Sequence, residues 1–125
     1  MKIIQAIAGD FETVQQITQE TIRAVYPRYY PAGAVDFFCR HHSDESIRGD
    51  IASGKVYLLF DEGKAAGTVT VSGNGINRLF VLPQCQHRGY GRALLDFAEQ
   101  VSQFGSKYIQ YCFCTEKALK ELINE

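Results

Sequence analysis

The chain has 125 residues, 46% of them apolar and 22% charged, and its 13 basic against 14 acidic side chains leave a formal charge of -1. That length predicts one domain, spanning 1–125, with core enough to need no disulfide or metal staple. The charge balance gives no global field for nucleic acid or anionic membrane, no run approaches a membrane span, and the N-terminal apolar stretch is too short for a signal peptide, so a soluble, cytoplasmic protein is expected.

Residues 2–7, KIIQAI, predict a short strand, followed by Asp10 as the N-cap of a helix over about 11–26. Phe11, Val14, Ile17, Ile22 and Val25 mark its buried face, and Pro27 and Pro31 end it. AVDFFCRHH reads as a second short helix, and Ser43 caps a third, DESIRGDIAS, which Gly54 stops. KVYLLF at 55–60, AAGTVTVSG and INRLFV at 76–81, joined by turns at DEGK and GNG, predict three consecutive antiparallel strands. Leu94, Leu95, Ala98, Val101 and Phe104 share one face of a helix that Gly105 stops. KYIQYCF at 107–113 is then a strand reached by a helical crossover, which should lie parallel to 76–81, and Thr115 caps a last helix, EKALKELINE. The fold class is α/β in the broad sense (α+β), a mixed, mostly antiparallel central sheet flanked by helices.

Between the 76–81 strand and the following helix lies PQCQHRGYGR, a basic loop in a chain with almost no net charge. Backbone N–H groups at a helix start have no intrahelical partner and, with the dipole, form a seat for a phosphate. Gly89 and Gly91 let the main chain curl and a ligand approach, and Arg88 and Arg92 add charge at the rim. A dinucleotide fingerprint would need a third glycine where Leu94 stands, and a Walker loop would need Gly-Lys-Ser or Gly-Lys-Thr. Two glycines alone are the ordinary shape of a strand-to-helix connection. An apolar strand, a proline, Gln86-x-x-Gly89-x-Gly91 and an amphipathic helix in succession are more specific.

LFVLPQCQHRGYGRALLDFAE resembles the acyl-CoA-binding motif of the GNAT acetyltransferase superfamily, and AAGTVTV resembles the glycine-containing strand before it. The resemblance extends over the order of elements from residue 1 to about 113. It implies a GNAT-like acyl-CoA N-acyltransferase fold, acetyl-CoA as acyl donor and the primary amine of a small molecule or peptide as acceptor. It also implies that the backbone amides of His87, Arg88, Gly89, Tyr90, Gly91 and Arg92 grip the CoA pyrophosphate, with Gln86 opening the loop. The main chain of Phe80 and Val81 would pair with the pantetheine arm, the N–H near Val81 polarising the thioester carbonyl.

The sequence departs from the family pattern after residue 113. The helix TEKALKELINE lacks the tyrosine that often protonates the leaving thiolate, and the usual C-terminal hairpin does not follow it. Two expectations follow: a homodimer or swapped oligomer covering the 107–113 edge, and, as the alternative function, a catalytically weak or inactive acyl-CoA-binding module. No carboxylate lies between Gly73 and Val81, so the sequence names no general base and no catalytic residue. Tyr26, Tyr29, Tyr30, His41 and His42 fall in the helical region that builds the acceptor pocket in this family, although taken singly each tyrosine reads as core packing and each histidine as solvent-facing. Cys112-x-Cys114 lacks zinc-site spacing, so no metal is expected.

Overall fold

The computed structural model describes residues 1–28, 30–73, 75–102 and 110–111. Its five-stranded sheet has the order β1-β2-β3-β4-β5, with β1 (Lys2–Gln5), β2 (Val56–Asp61), β3 (Lys64–Ser72), β4 (Gly75–Val81) and β5 (Gln110–Tyr111). Each of the first four strands is antiparallel to its neighbour, and β5 runs parallel to β4 through Gly75 opposite Gln110 and Ile76 opposite Tyr111. The β2–β3 hairpin turns at Glu62 and Gly63, both at positive φ (53° and 76°), the pairing that a two-residue turn demands. Asn74, Gly105, most of the 107–113 strand and the 115–125 helix lie outside the described residues, and with them the expected missing hairpin and covered edge.

Three helices, α1 (Phe11–Val25), α2 (Ala32–His41) and α3 (Asp44–Ala52), cover one face, and α4 (Tyr90–Val101) covers the other. In α1 the residues Phe11, Val14, Ile17, Thr18, Thr21, Ile22 and Val25 are buried, a stripe at spacings of three and four. Asp10 stands at the N-cap position of α1 as expected, but its side chain makes no capping bond to the helix. Its carboxylate accepts from the Ile7 N–H at 2.9 Å, closing a short 3-10 turn ahead of the helix. Ser43 does cap α3, its hydroxyl accepting from the Ser46 N–H at 3.3 Å, and Gly54 follows the helix at φ 73°.

The sheet departs from simple alternation in β4. Thr70 pairs with Asn77 and Thr68 with Phe80, so one residue of β3 faces two of β4, a β-bulge at Arg78 and Leu79. The extra residue reverses the parity of everything beyond it. Ile76, Leu79 and Val81 all join the core under α4, whereas Phe80 and Leu82 join the core under α1.

On the α4 side, Leu94 is fully buried against β3, and each such leucine contributes on the order of 2 kcal/mol. The glycine of AAGTVTV explains itself here. A Cβ on Gly67 would lie 2.8 Å from both Leu94 Cδ1 and the Phe80 carbonyl oxygen, so only glycine lets α4 and β4 approach this closely. Gly67→Ala should therefore cost about 1–3 kcal/mol through overpacking, read as a lower urea midpoint at unchanged m-value.

Candidate functional site

The C-terminal end of β4 sets the site. Leu82 N–H donates to the Ala66 carbonyl at 2.9 Å, which makes that opposed pair a hydrogen-bonded one and, by alternation, Thr68 with Phe80 another. The intervening pair, Gly67 with Val81, is then of the other kind, and the N–H and C=O of Val81 point away from β3 toward the side on which β5 lies. Phe80 turns its main-chain groups to β3 and its buried ring toward Tyr26, 5.9 Å between centroids.

The outward carbonyl of Val81 accepts the Gln86 side-chain amide at 3.1 Å and the Thr21 hydroxyl at 3.3 Å. Gln86 thus ties the loop back to the strand it leaves. A 3-10 turn at Pro83–Cys85 intervenes, and His87 takes positive φ (67°). Gly89 precedes α4 at φ 84°, a left-handed conformation that suits glycine, with no side-chain cap and open space where its Cβ would be. The first intrahelical bond with Gly89 as acceptor comes from Ala93, 3.1 Å, so the amides of Tyr90, Gly91 and Arg92 precede the helix's own bonding. His87, Arg88 and Gly89 are exposed while Tyr90 and Gly91 are buried. The loop therefore offers main-chain donors at a surface whose underside is fixed.

Tyr90 does that fixing. Its hydroxyl donates to Asp61 at the end of β2, and the N-terminal ammonium of Met1 lies 3.3 Å from the same carboxylate. The Tyr90 hydrogen bond, followed by the ammonium, holds the Asp61 carboxyl below its ordinary value. The same bond raises the Tyr90 phenol, the Arg88 guanidinium pulling the other way. Arg92 lies 3.5 Å from Asp96 one turn along α4, an exposed pair of small energetic consequence.

Beside this end of β4, a cleft of about 400 Å³ is lined by Glu20, Arg23 and Ala24 of α1 and by Pro83 and Gln84. The aromatic candidates are core residues: Tyr26 is 2% exposed, and Tyr26 and Tyr30 each stack edgewise or tilted on Phe38 or one another at 5.0–5.3 Å. Tyr29, Cys112 and Cys114 and the side chain of His41 fall outside the described residues.

His42 overturns its solvent-facing reading, being 1% exposed. Its Nδ1 accepts from Arg78 Nε at 3.1 Å, while Arg78 Nη1 donates to Asp50 at 2.6 Å and to the Thr70 hydroxyl at 3.2 Å. Arg78 is thus an inward arginine at φ 48°, placed at the bulge where glycine would be the unstrained choice. That backbone costs about 1–3 kcal/mol, which charge-assisted bonds of about 1.5–3 kcal/mol each offset. Composition gave no sign of this cluster. Only the spacing Ile76-x-x-Leu79-x-Val81, which breaks alternation by one residue, carried a signal of the bulge.

A bulged fourth strand, an outward main-chain edge at its end, and a glycine-bearing loop running into a helix on the opposite face meet at one end of a mixed α+β sheet. The family model described as "Acetyltransferase (GNAT) domain" matches residues 52–122, and the chain belongs to that family. Among solved structures it is similar to the PaiA N-acetyltransferase of Thermoplasma acidophilum in complex with coenzyme A, with 21% identity, a TM-score of 0.64 and coverage of 80% of this chain and 70% of that one. A GCN5-related N-acetyltransferase of Rhodopseudomonas palustris gives 19% identity, a TM-score of 0.72 and coverage of 81% and 64%. One from Ralstonia eutropha gives 16%, 0.67, and 95% and 86%. The chain thus spans slightly less than two thirds of the second of these, and at such identities the likeness shows the fold. A search of curated proteins returned no match. Among the described residues no helix is long and apolar enough to cross a membrane.

Two expected outcomes test this geometry. Arg78→Met leaves Asp50 without its cation and His42 without its donor, and should lower stability in urea by about 3 kcal/mol, with Arg78→Gly, which relaxes the backbone, losing less. Because folding lowers the Asp61 pKa, its contact with Tyr90 contributes fully above the ordinary carboxyl value of 3.8 and fades as pH falls below it. Tyr90→Phe should therefore lower the melting temperature near neutral pH, and the gap to the parent protein should narrow at about pH 3.

Proposed function

We propose that the protein is an N-acetyltransferase that carries an acetyl group from acetyl-CoA to the primary amine of a small molecule or peptide in a ternary complex. The observation that carries this reading is the pair of features at one end of the sheet: main-chain donors at the start of α4 behind an open Gly89, and the outward edge of Val81. A diphosphate fits the first, because the loop amides and the Arg88 guanidinium present donors where no Cβ intrudes. The extended pantetheine fits the second, as an added strand along β4.

On this reading the amides of His87, Arg88, Gly89, Tyr90, Gly91 and Arg92 hold the pyrophosphate, and Gln86 keeps the loop in register with the strand. Phe80 spends its main-chain groups on β3, so Val81 supplies the polar edge, and its N–H points to where charge develops on the thioester oxygen. The amine enters by the cleft beside α1, where Glu20 offers a carboxylate to the ammonium and Arg23 one turn on keeps the cleft near neutral overall. That ammonium loses one proton to water, its nitrogen attacks the thioester carbon, the C–N bond forms as C–S breaks, and the second proton neutralises the thiolate. Alignment of two bound substrates supplies most of the acceleration.

Titration calorimetry with CoA and acetyl-CoA, followed by thiol release over a panel of amines, tests the proposal. The parent protein should bind both ligands and release thiol with at least one amine. Gly89→Val, which strains φ and fills the space in front of the amides, should weaken binding at least tenfold, a loss of about 1.4 kcal/mol. Undiminished affinity in that variant would remove the loop from the site. Binding without turnover on every amine would assign the chain instead as an acyl-CoA-binding module.

A further inference from the structure

At the end of the sheet remote from Val81, a cavity of about 450 Å³ opens between the end of β1, the start of α1 and the last turn of α3. Its floor is apolar and buried, made of Ala6, Phe11 and Ile51, and Ile7 stands at its rim 68% exposed. That volume is within the usual range of small-molecule sites, which runs from roughly 300 to 1,000 Å³. One lining residue is charged. The Arg48 guanidinium carbon lies over the Phe11 ring, 3.7 Å from its centroid.

This placement has a chemical consequence. A cation–π contact takes up none of the hydrogen-bonding capacity that the five N–H donors of a guanidinium offer to an acceptor. Among the described residues no carboxylate lies within ion-pair distance of Arg48. A planar fork of donors beside an apolar hollow matches a ligand with one carboxylate and an apolar body. The body would cover the Ile7 side chain now in water, and the carboxylate would take both edges of Arg48.

We propose that this cavity is a binding site for a small amphiphilic carboxylate, with an aromatic or medium-length alkyl body on Ala6, Phe11 and Ile51 and its head on Arg48. The site is separate from the loop at 86–92 and does not depend on the acetyl-transfer reading.

The test uses the full chain and 8-anilinonaphthalene-1-sulfonate, an apolar fluorescent anion, with octanoate and octanol as competitors. The probe should bind saturably, octanoate should displace it, octanol at the same concentration should not, and saturating CoA should leave it bound. Arg48→Gln should weaken probe and octanoate at least about tenfold, the loss of one charge-assisted pair. Ala52→Phe, at an exposed rim position on the last turn of α3, should abolish binding by filling the cavity while circular dichroism stays unchanged. Displacement of the probe by CoA, equal competition by octanol, or full binding in either variant would overturn the proposal.

Discussion

One inserted residue in β4 determines how the rest of the molecule is arranged. Side chains in a strand alternate between faces, so an extra position exchanges inside for outside along everything that follows. Leu79 and Val81 reach the core under α4 only because Arg78 absorbs that extra position, and Phe80 and Leu82 reach the core under α1 for the same reason. The backbone there is left-handed at a bulky residue, an arrangement that persists only when its surroundings over-determine it. Asp50, His42 and Thr70 do so from three separate elements. The helical layer and the bulge are therefore one construction, since α3 and the residue after α2 supply the groups that hold the strand's irregularity.

The electrostatics of the chain are local in the same sense. A net charge of -1 offers an anion nothing at long range, so the positive potential near the glycine loop comes from main-chain dipoles and from Arg88 close by. Arg92 is partly spoken for by Asp96. Beneath the loop, Tyr90 and Asp61 fix the first residue of α4 to the end of β2, so the donors stand on a rigid base while His87 and Gly89 remain at the surface. Gly67 completes the arrangement by letting the helix settle onto the sheet.

Much of this was legible in the sequence. The helices of the first half and the three antiparallel strands follow from hydrophobic period and turn residues, each lying within a few residues of where those signals put it, and Gln110–Tyr111 of the expected fifth strand run parallel to β4 as the crossover requires. The glycine loop was legible as a tight strand-to-helix connection, and Gly89 does take a left-handed conformation ahead of α4. The bulge left only the broken spacing of Ile76, Leu79 and Val81 as a trace, because LFV is apolar on both faces and one inserted residue leaves no change in composition. His42 was misread by its type, which is ordinarily solvated, and nothing in the sequence singled out Arg78. Their burial depends on partners 28 and 36 positions away in the chain, a juxtaposition no local pattern encodes. Asp10 was placed correctly before its helix, yet its carboxylate found a nearer donor in Ile7.

The double acceptance at the Val81 carbonyl has a mechanical consequence. Strand termini commonly fray, but this one is pinned from a helix, a loop side chain and the neighbouring strand at once. Donors crowding onto that oxygen also polarise the peptide unit it belongs to and strengthen the bond that Leu82 sends to Ala66. The seam between strand and loop is therefore fixed from both sides, an anvil on which the turn at 87–89 rests.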